Sequence, residues 1–129
     1  MVKKNEATLN RPEGDRIIDA HYVHMDLEEF ARQLKEEPAW QKNDRNGITI
    51  FKTDNLTIVL VALHKAAEIK DNSVSGIISI QVIQGRVGVE FIDGEIELRE
   101  KQMMNFHPFI KHSIKAQEES LLLMTNYTR

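Results

Sequence analysis

The chain has 129 residues, the usual size of a single domain that can bury a core of its own. Its 17 Lys and Arg are interleaved with 20 Asp and Glu, so the sequence offers no clustered basic face for nucleic-acid phosphates. We therefore expect no nucleic-acid partner. The absence of cysteine excludes disulfides, thiolate metal ligands and a cysteine nucleophile.

The sequence also predicts no membrane partner. The longest uninterrupted apolar run, Ile58–Leu63, is far too short to cross a bilayer. The first residues are followed by Asn5, Glu6 and Thr8, where a secretory signal would carry an apolar core. These features predict a cytoplasmic protein.

The N-terminal part of the chain is predicted to hold an arm, an extended segment and a helix. Residues 1–16 are polar and without periodicity, which indicates a loose arm. Ile17–Met25 contains several β-prone residues and is predicted to be extended. We therefore divide the chain into an arm and helix over residues 1–46 and a β domain over residues 47–129.

One amphipathic helix is predicted near residues 27–36. Asp26 is a favourable N-cap, and Glu29 completes the pattern of a capping box. Pro38 ends the helix, and Trp40 is expected to pack it against the β domain. The apolar face has the spacing typical of a helix and consists of Leu27, Phe30, Ala31 and Leu34.

From Gly47 onward the pattern is one of short strands. Turn-forming residues separate these strands, and Asp93–Gly94 is a strong hairpin signal. A series of short strands with a single helix outside it predicts an all-β, antiparallel sandwich or barrel. The predicted strands are Ile48–Phe51, Leu56–His64, Ile77–Ile83, Arg86–Ile92, Glu95–Leu98, Gln102–Phe106, His112–Ala116 and Ser120–Tyr127.

Two segments of this region resemble the motifs of the cupin superfamily, in particular its small single-domain bacterial members. They run from Ala62 to Gly85 and from Leu98 to Ala116, and the resemblance covers about residues 47–126. It implies an antiparallel jelly-roll β-barrel, preceded here by one short N-terminal helix. It also implies a homodimer in which an N-terminal strand packs on the neighbouring barrel.

The resemblance implies a degenerate metal site. In metal-binding cupins the first motif supplies two histidines and a glutamate, and the second supplies a histidine. With the first motif anchored on Gly85, its three ligand positions fall on Asn72, Val74 and Ile78, and the second motif retains His112. One imidazole cannot replace the three or four donors of a mononuclear centre. We therefore expect no metal and no cofactor.

Three positions that are glycine in the cupin motifs carry other residues in this chain. They fall on Ala66, Lys101 and Phe109. Glycine is common in turns whose backbone conformation other residues disfavour. We therefore expect the loops around residues 101 and 109 to differ from those of the family.

Four residues are candidates for binding a ligand. His112 is predicted to face the barrel interior, where it could contact a ligand or act as a general acid or base, although a structural histidine is the simpler interpretation. His64 either lies at the rim of the barrel or approaches His112 across it. Asn72 and Gln81 could add polar groups, although Gln81 belongs to the outward-facing set of its strand.

Three functions remain open on this basis. The first is a non-catalytic barrel that binds a small molecule or a partner, and the second is a structural protein whose barrel carries a dimer interface. The third is a metal-dependent cupin enzyme, an isomerase, epimerase or dioxygenase acting on a sugar or a small organic acid. Only analogy with the family supports the enzyme, because a fold does not fix a function. We assign no catalytic residue.

Overall fold

The structure, a computed structural model, describes residues 3–5 and 16–129. The predicted loose arm therefore lies largely outside the described residues. The helices are α1 (Leu27–Glu36) and α2 (Pro38–Lys42). The strands are β1 (Lys3–Asn5), β2 (Arg16–Asp19), β3 (Arg45–Lys52), β4 (Leu56–Leu63), β5 (Glu68–Asn72), β6 (Ile77–Gln84), β7 (Arg86–Phe91), β8 (Gly94–Arg99), β9 (Met103–Phe106), β10 (His112–Ala116) and β11 (Ser120–Tyr127).

Helix α1 begins and ends where its sequence signals predict. The Asp26 carboxylate accepts hydrogen bonds from the backbone N–H groups of Glu28 and Glu29, at 3.0 and 3.2 Å. Pro38 follows the helix, but it also opens the five-residue α2, which was not predicted. Proline is favoured at the first position of a helix, where its missing N–H costs nothing.

The strands form two larger antiparallel sheets and a two-stranded pair. The five-stranded sheet has the order β3-β4-β11-β6-β9, and the four-stranded sheet has the order β5-β10-β7-β8. In each sheet a late strand lies between two early ones, as β11 does between β4 and β6 and β10 does between β5 and β7. This arrangement confirms the predicted all-β jelly-roll, although the two sheets are not hydrogen-bonded into a closed barrel. We call the space between them the sandwich interior.

Three strands differ from the sequence prediction. Strand β1 lies in the segment that was predicted to be a loose arm, and it pairs with β2. Strand β5 was missed because its sequence, Glu-Ile-Lys-Asp-Asn, has no apolar alternation; it is an edge strand that pairs with β10. Strand β2 is shorter than the extended segment predicted over Ile17–Met25.

Two apolar clusters hold these layers together. The sandwich interior contains fully buried side chains from both sheets, including Ile80, Val87 and Ile114. The second cluster joins the outer face of the five-stranded sheet to the helices through Leu34 and Trp40. Trp40 therefore packs the helices on the β domain as predicted. Full burial of an aliphatic side chain such as Leu34 or Ile80 contributes about 1.5–3 kcal/mol to the stability of the fold.

The three glycine-like positions keep a left-handed backbone. The φ angles of Ala66, Lys101 and Phe109 are 75°, 70° and 66°. Each backbone N–H donates a hydrogen bond, to the carbonyls of Ala116, Val82 and Val74 respectively, at 2.8, 2.9 and 2.8 Å. These turns therefore have a conformation that suits glycine at all three positions, held by hydrogen bonds to β10, to β6 and to the segment between β5 and β6.

Candidate ligand-binding site

A pocket of about 340 Å³ opens into one end of the sandwich interior. It lies beside the first half of β4 and the last residues of β11. Because side chains alternate between the two faces of a strand, β4 turns every second residue toward the pocket. The apolar walls are formed by Val59, Val61, Ile69, Val74, Ile78 and Met124.

The polar groups that the described residues contribute to the pocket are uncharged. They come from Thr57, Asn72, Thr125 and Asn126. The Asn126 Oδ1 is buried and has no hydrogen-bond partner within the described part of the chain. Gly76 allows this close packing, since a Cβ on it would stand only 2.4 Å from that oxygen. The pocket is therefore mostly apolar with a few amide and hydroxyl groups.

His112 lies directly behind Asn72. Its side chain, on a residue only 1% exposed, stacks on Phe106 with ring centroids 4.2 Å apart and planes 4° from parallel. The imidazole Nδ1 is 3.1 Å from the carbonyl oxygen of Ile110, and the Nε2 is 3.5 Å from the Asn72 Nδ2. The structure thus places His112 in the interior, as predicted, with protein groups at both ring nitrogens.

The four positions at which the cupin motifs would supply metal ligands converge in the structure. Asn72, Val74 and Ile78 line the pocket, and His112 touches the first of them. Their donors amount to one imidazole and one amide, because the valine and isoleucine have none. Within residues 16–129, no group of three or more His, Asp or Glu side chains is placed to hold an ion. These residues do not fit a mononuclear metal centre.

His64 is far from this pocket along the sheet. It follows Leu63, which pairs with Ser120 at the end of β4 opposite the pocket. Its ring stacks on Trp40 with centroids 3.4 Å apart, and its Nε2 is 2.8 Å from the Trp40 carbonyl oxygen. Of the two alternatives for His64, the structure shows the position at the rim, where Trp40 of α2 holds the ring, and not the approach to His112.

Gln81 lies on the outer face of the five-stranded sheet. It alternates with the buried Ile80 and Val82, and its neighbours on adjacent strands are Met103 and Leu123. The structure therefore brings together only two of the four predicted ligand residues, Asn72 and His112.

Thr57 and Asn126 line the pocket but were not predicted from the sequence. Each belongs to the alternate residues of its strand that face the sandwich interior. The strands β4 and β11, however, are rich in apolar residues on both faces. Without the pairing register between them, the alternation does not tell which set faces inward.

The comparisons with known proteins agree on the fold. A cupin superfamily protein from Desulfitobacterium hafniense DCB-2 is 16% identical over 67% of this chain and 80% of its own, with a TM-score of 0.65. An RmlC-like cupin from Shewanella frigidimarina NCIMB 400 is 15% identical over 67% and 78%, with a TM-score of 0.63. A conserved protein of unknown function from Streptococcus pyogenes is 19% identical over 87% and 92%, with a TM-score of 0.69.

No protein-family model and no curated protein matches the chain. The structural similarities establish that the protein has a small cupin fold. No helix within the described residues is long and apolar enough to cross a membrane.

Proposed function

We propose that the protein is a non-catalytic cupin-fold module that binds a small molecule in the pocket of the sandwich interior. The observation that carries this proposal is the pocket itself, with about 340 Å³ of space, apolar walls and a few uncharged polar groups. Small-molecule sites generally have this character and a volume of about 300–1,000 Å³.

The environment of His112 supports a binding role in preference to a catalytic one. A general acid or base has to reach the reacting atoms, whereas both nitrogens of this imidazole face protein groups. Within residues 16–129, the residues that line the pocket include no acidic or basic side chain. We propose that two of the metal-binding positions of the fold, Val74 and Ile78, now form apolar wall, that Asn72 adds an amide, and that His112 supports the pocket.

Binding of an aromatic probe tests the proposal. We would titrate p-cresol into the protein and follow the methyl NMR signals of Val59, Val61 and Met124. A ligand of eight heavy atoms at about 0.4–0.5 kcal/mol per atom gives about 3–4 kcal/mol, which corresponds to a Kd of about 1–10 mM. Saturable shifts of these methyl groups are expected.

A pair of variants controls for binding elsewhere. Val59→Phe inserts a ring into the pocket, whereas Gln81→Phe inserts the same ring on the outer face of the sheet. We expect the first variant to lose the saturable shifts of Val61 and Met124 and the second to keep them. Equal binding by both variants, or no saturable shift in the unaltered protein, contradicts the proposal.

A further inference from the structure

We infer that the pocket selects uncharged ligands that donate a hydrogen bond, and that His112 imposes this selectivity by fixing the orientation of the Asn72 amide. The inference rests on the proposed function and adds the chemical class of the ligand. His112 is, in this account, a positioning residue that acts through Asn72.

The hydrogen bond at Nδ1 fixes the tautomer of the His112 imidazole. Its partner, the carbonyl oxygen of Ile110 at 3.1 Å, can only accept. The Nδ1 therefore carries a hydrogen and donates it. In a neutral imidazole the other nitrogen is then an acceptor, so the Nε2 of His112 needs a donor.

That acceptor in turn fixes the Asn72 amide. An amide has one donor end and one acceptor end, and only its NH₂ group satisfies the Nε2, which lies 3.5 Å away. The Oδ1 then faces away from the imidazole. Since Asn72 lines the pocket and His112 does not, Asn72 offers the ligand a carbonyl-type acceptor.

Asn126 provides an independent observation of the same kind. The residue lines the pocket, and its Oδ1 is buried beside Gly76 without a donor in the part of the chain that the structure describes. Buried acceptors are normally paired, and a turn of the Asn126 side chain toward the pocket would let a ligand N–H or O–H group supply the missing donor.

The charges of the lining exclude the opposite class of ligand. Among the described residues that form the pocket there is no Lys, Arg or His. A carboxylate ligand would lose its hydration without meeting a cation, and its oxygens would face the amide acceptors. Amides, alcohols and phenols with an apolar body meet both requirements, whereas carboxylates meet neither.

A matched pair of probes tests the selectivity. 4-Methylbenzamide and 4-methylbenzoate have nearly the same shape, but at pH 7.5 the first is a neutral donor and the second an anion. Toluene serves as a probe without either property. With the methyl signals of Val61 and Met124 as the readout, we expect the amide to bind at least tenfold more tightly than the benzoate.

Two variants test the role of the Asn72 amide. His112→Phe keeps a ring stacked on Phe106 but removes the acceptor, so the amide is free to turn. Asn72→Leu removes the amide while keeping its approximate volume. In both we expect the preference for 4-methylbenzamide over 4-methylbenzoate to fall by threefold or more. The Kd for toluene should stay within twofold of its value for the unaltered protein. A general structural defect of the pocket would weaken toluene binding as well. If His112→Phe does not fold, Asn72→Leu alone decides.

The possible failures are distinguishable. Equal or tighter binding of the benzoate overturns the inference and leaves the proposed function intact, and so does an undiminished amide preference in Asn72→Leu. If none of the three probes, toluene included, shifts the pocket methyl groups, the proposed function fails as well.

Discussion

Replacing Lys101 by glycine is expected to stabilise the protein. Lys101 has a φ of 70°, and its N–H donates to the carbonyl of Val82 at 2.9 Å, so the fold holds it in a conformation that L-residues disfavour. The side chain is exposed, and the structure records no ion pair or hydrogen bond for it among the described residues. Removing it should therefore cost little packing.

The size of the effect follows from two opposing terms. Left-handed backbone costs a non-glycine residue about 1–2 kcal/mol. Glycine avoids that cost but adds about 0.5–1 kcal/mol of conformational entropy to the unfolded chain. The net expectation is a gain of about 0.5–1 kcal/mol in the free energy of unfolding. With a urea m-value of about 1.5 kcal/mol/M, the midpoint should rise by about 0.3–0.7 M.

Urea unfolding followed by circular dichroism measures this shift. Lys101→Ala removes the same side chain but keeps the strain, so its midpoint should stay near that of the unaltered protein. Glu100→Gly places glycine at the neighbouring exposed position, whose φ is not in the left-handed region. It should lose about 0.5–1 kcal/mol. If Lys101→Gly is no more stable than Lys101→Ala, the left-handed turn is not strained and the reasoning is wrong.

Three further predictions concern packing, metal and assembly. Gly85→Ala should lower the free energy of unfolding by about 3 kcal/mol, because φ is +96° and the new Cβ would lie 2.4 Å from the Ser120 Oγ; a loss below 1 kcal/mol in urea unfolding would refute this. A homodimer is predicted, and light scattering that finds a monomer at micromolar concentration contradicts it. Restoring the donors of the cupin motifs, by Asn72→His, Val74→His and Ile78→Glu together, should raise the metal content after equilibration with Zn²⁺, as measured by elemental analysis. No increase over the unaltered protein would count against a degenerate metal site.

Most of the fold was predictable because its signals are local. The Asp26 cap and the apolar face of α1 lie within one short segment, and the alternation in β6 or β10 is visible residue by residue. The missed elements lack such signals. Strand β5 is polar and depends on pairing with β10, and Pro38 marks the end of one helix as readily as the start of the next.

The site was only half predictable for the same reason. The resemblance to the cupin motifs predicted that Asn72 and His112 lie close together, because both fall on ligand positions of the motifs. In the structure the two residues are paired across β5 and β10. The position of His64 depends on the packing of Trp40 from another element. The role of Asn126 depends on how β11 pairs with β4 and β6. No local pattern contains either contact.

A crystal structure of the protein saturated with p-cresol tests the central claim most directly. We predict that the ring occupies the pocket between Val61 and Met124, with the phenol oxygen within hydrogen-bonding distance of the Asn72 Oδ1. Electron density for the probe on the protein surface alone, with the pocket closed or filled only by water, would contradict the account.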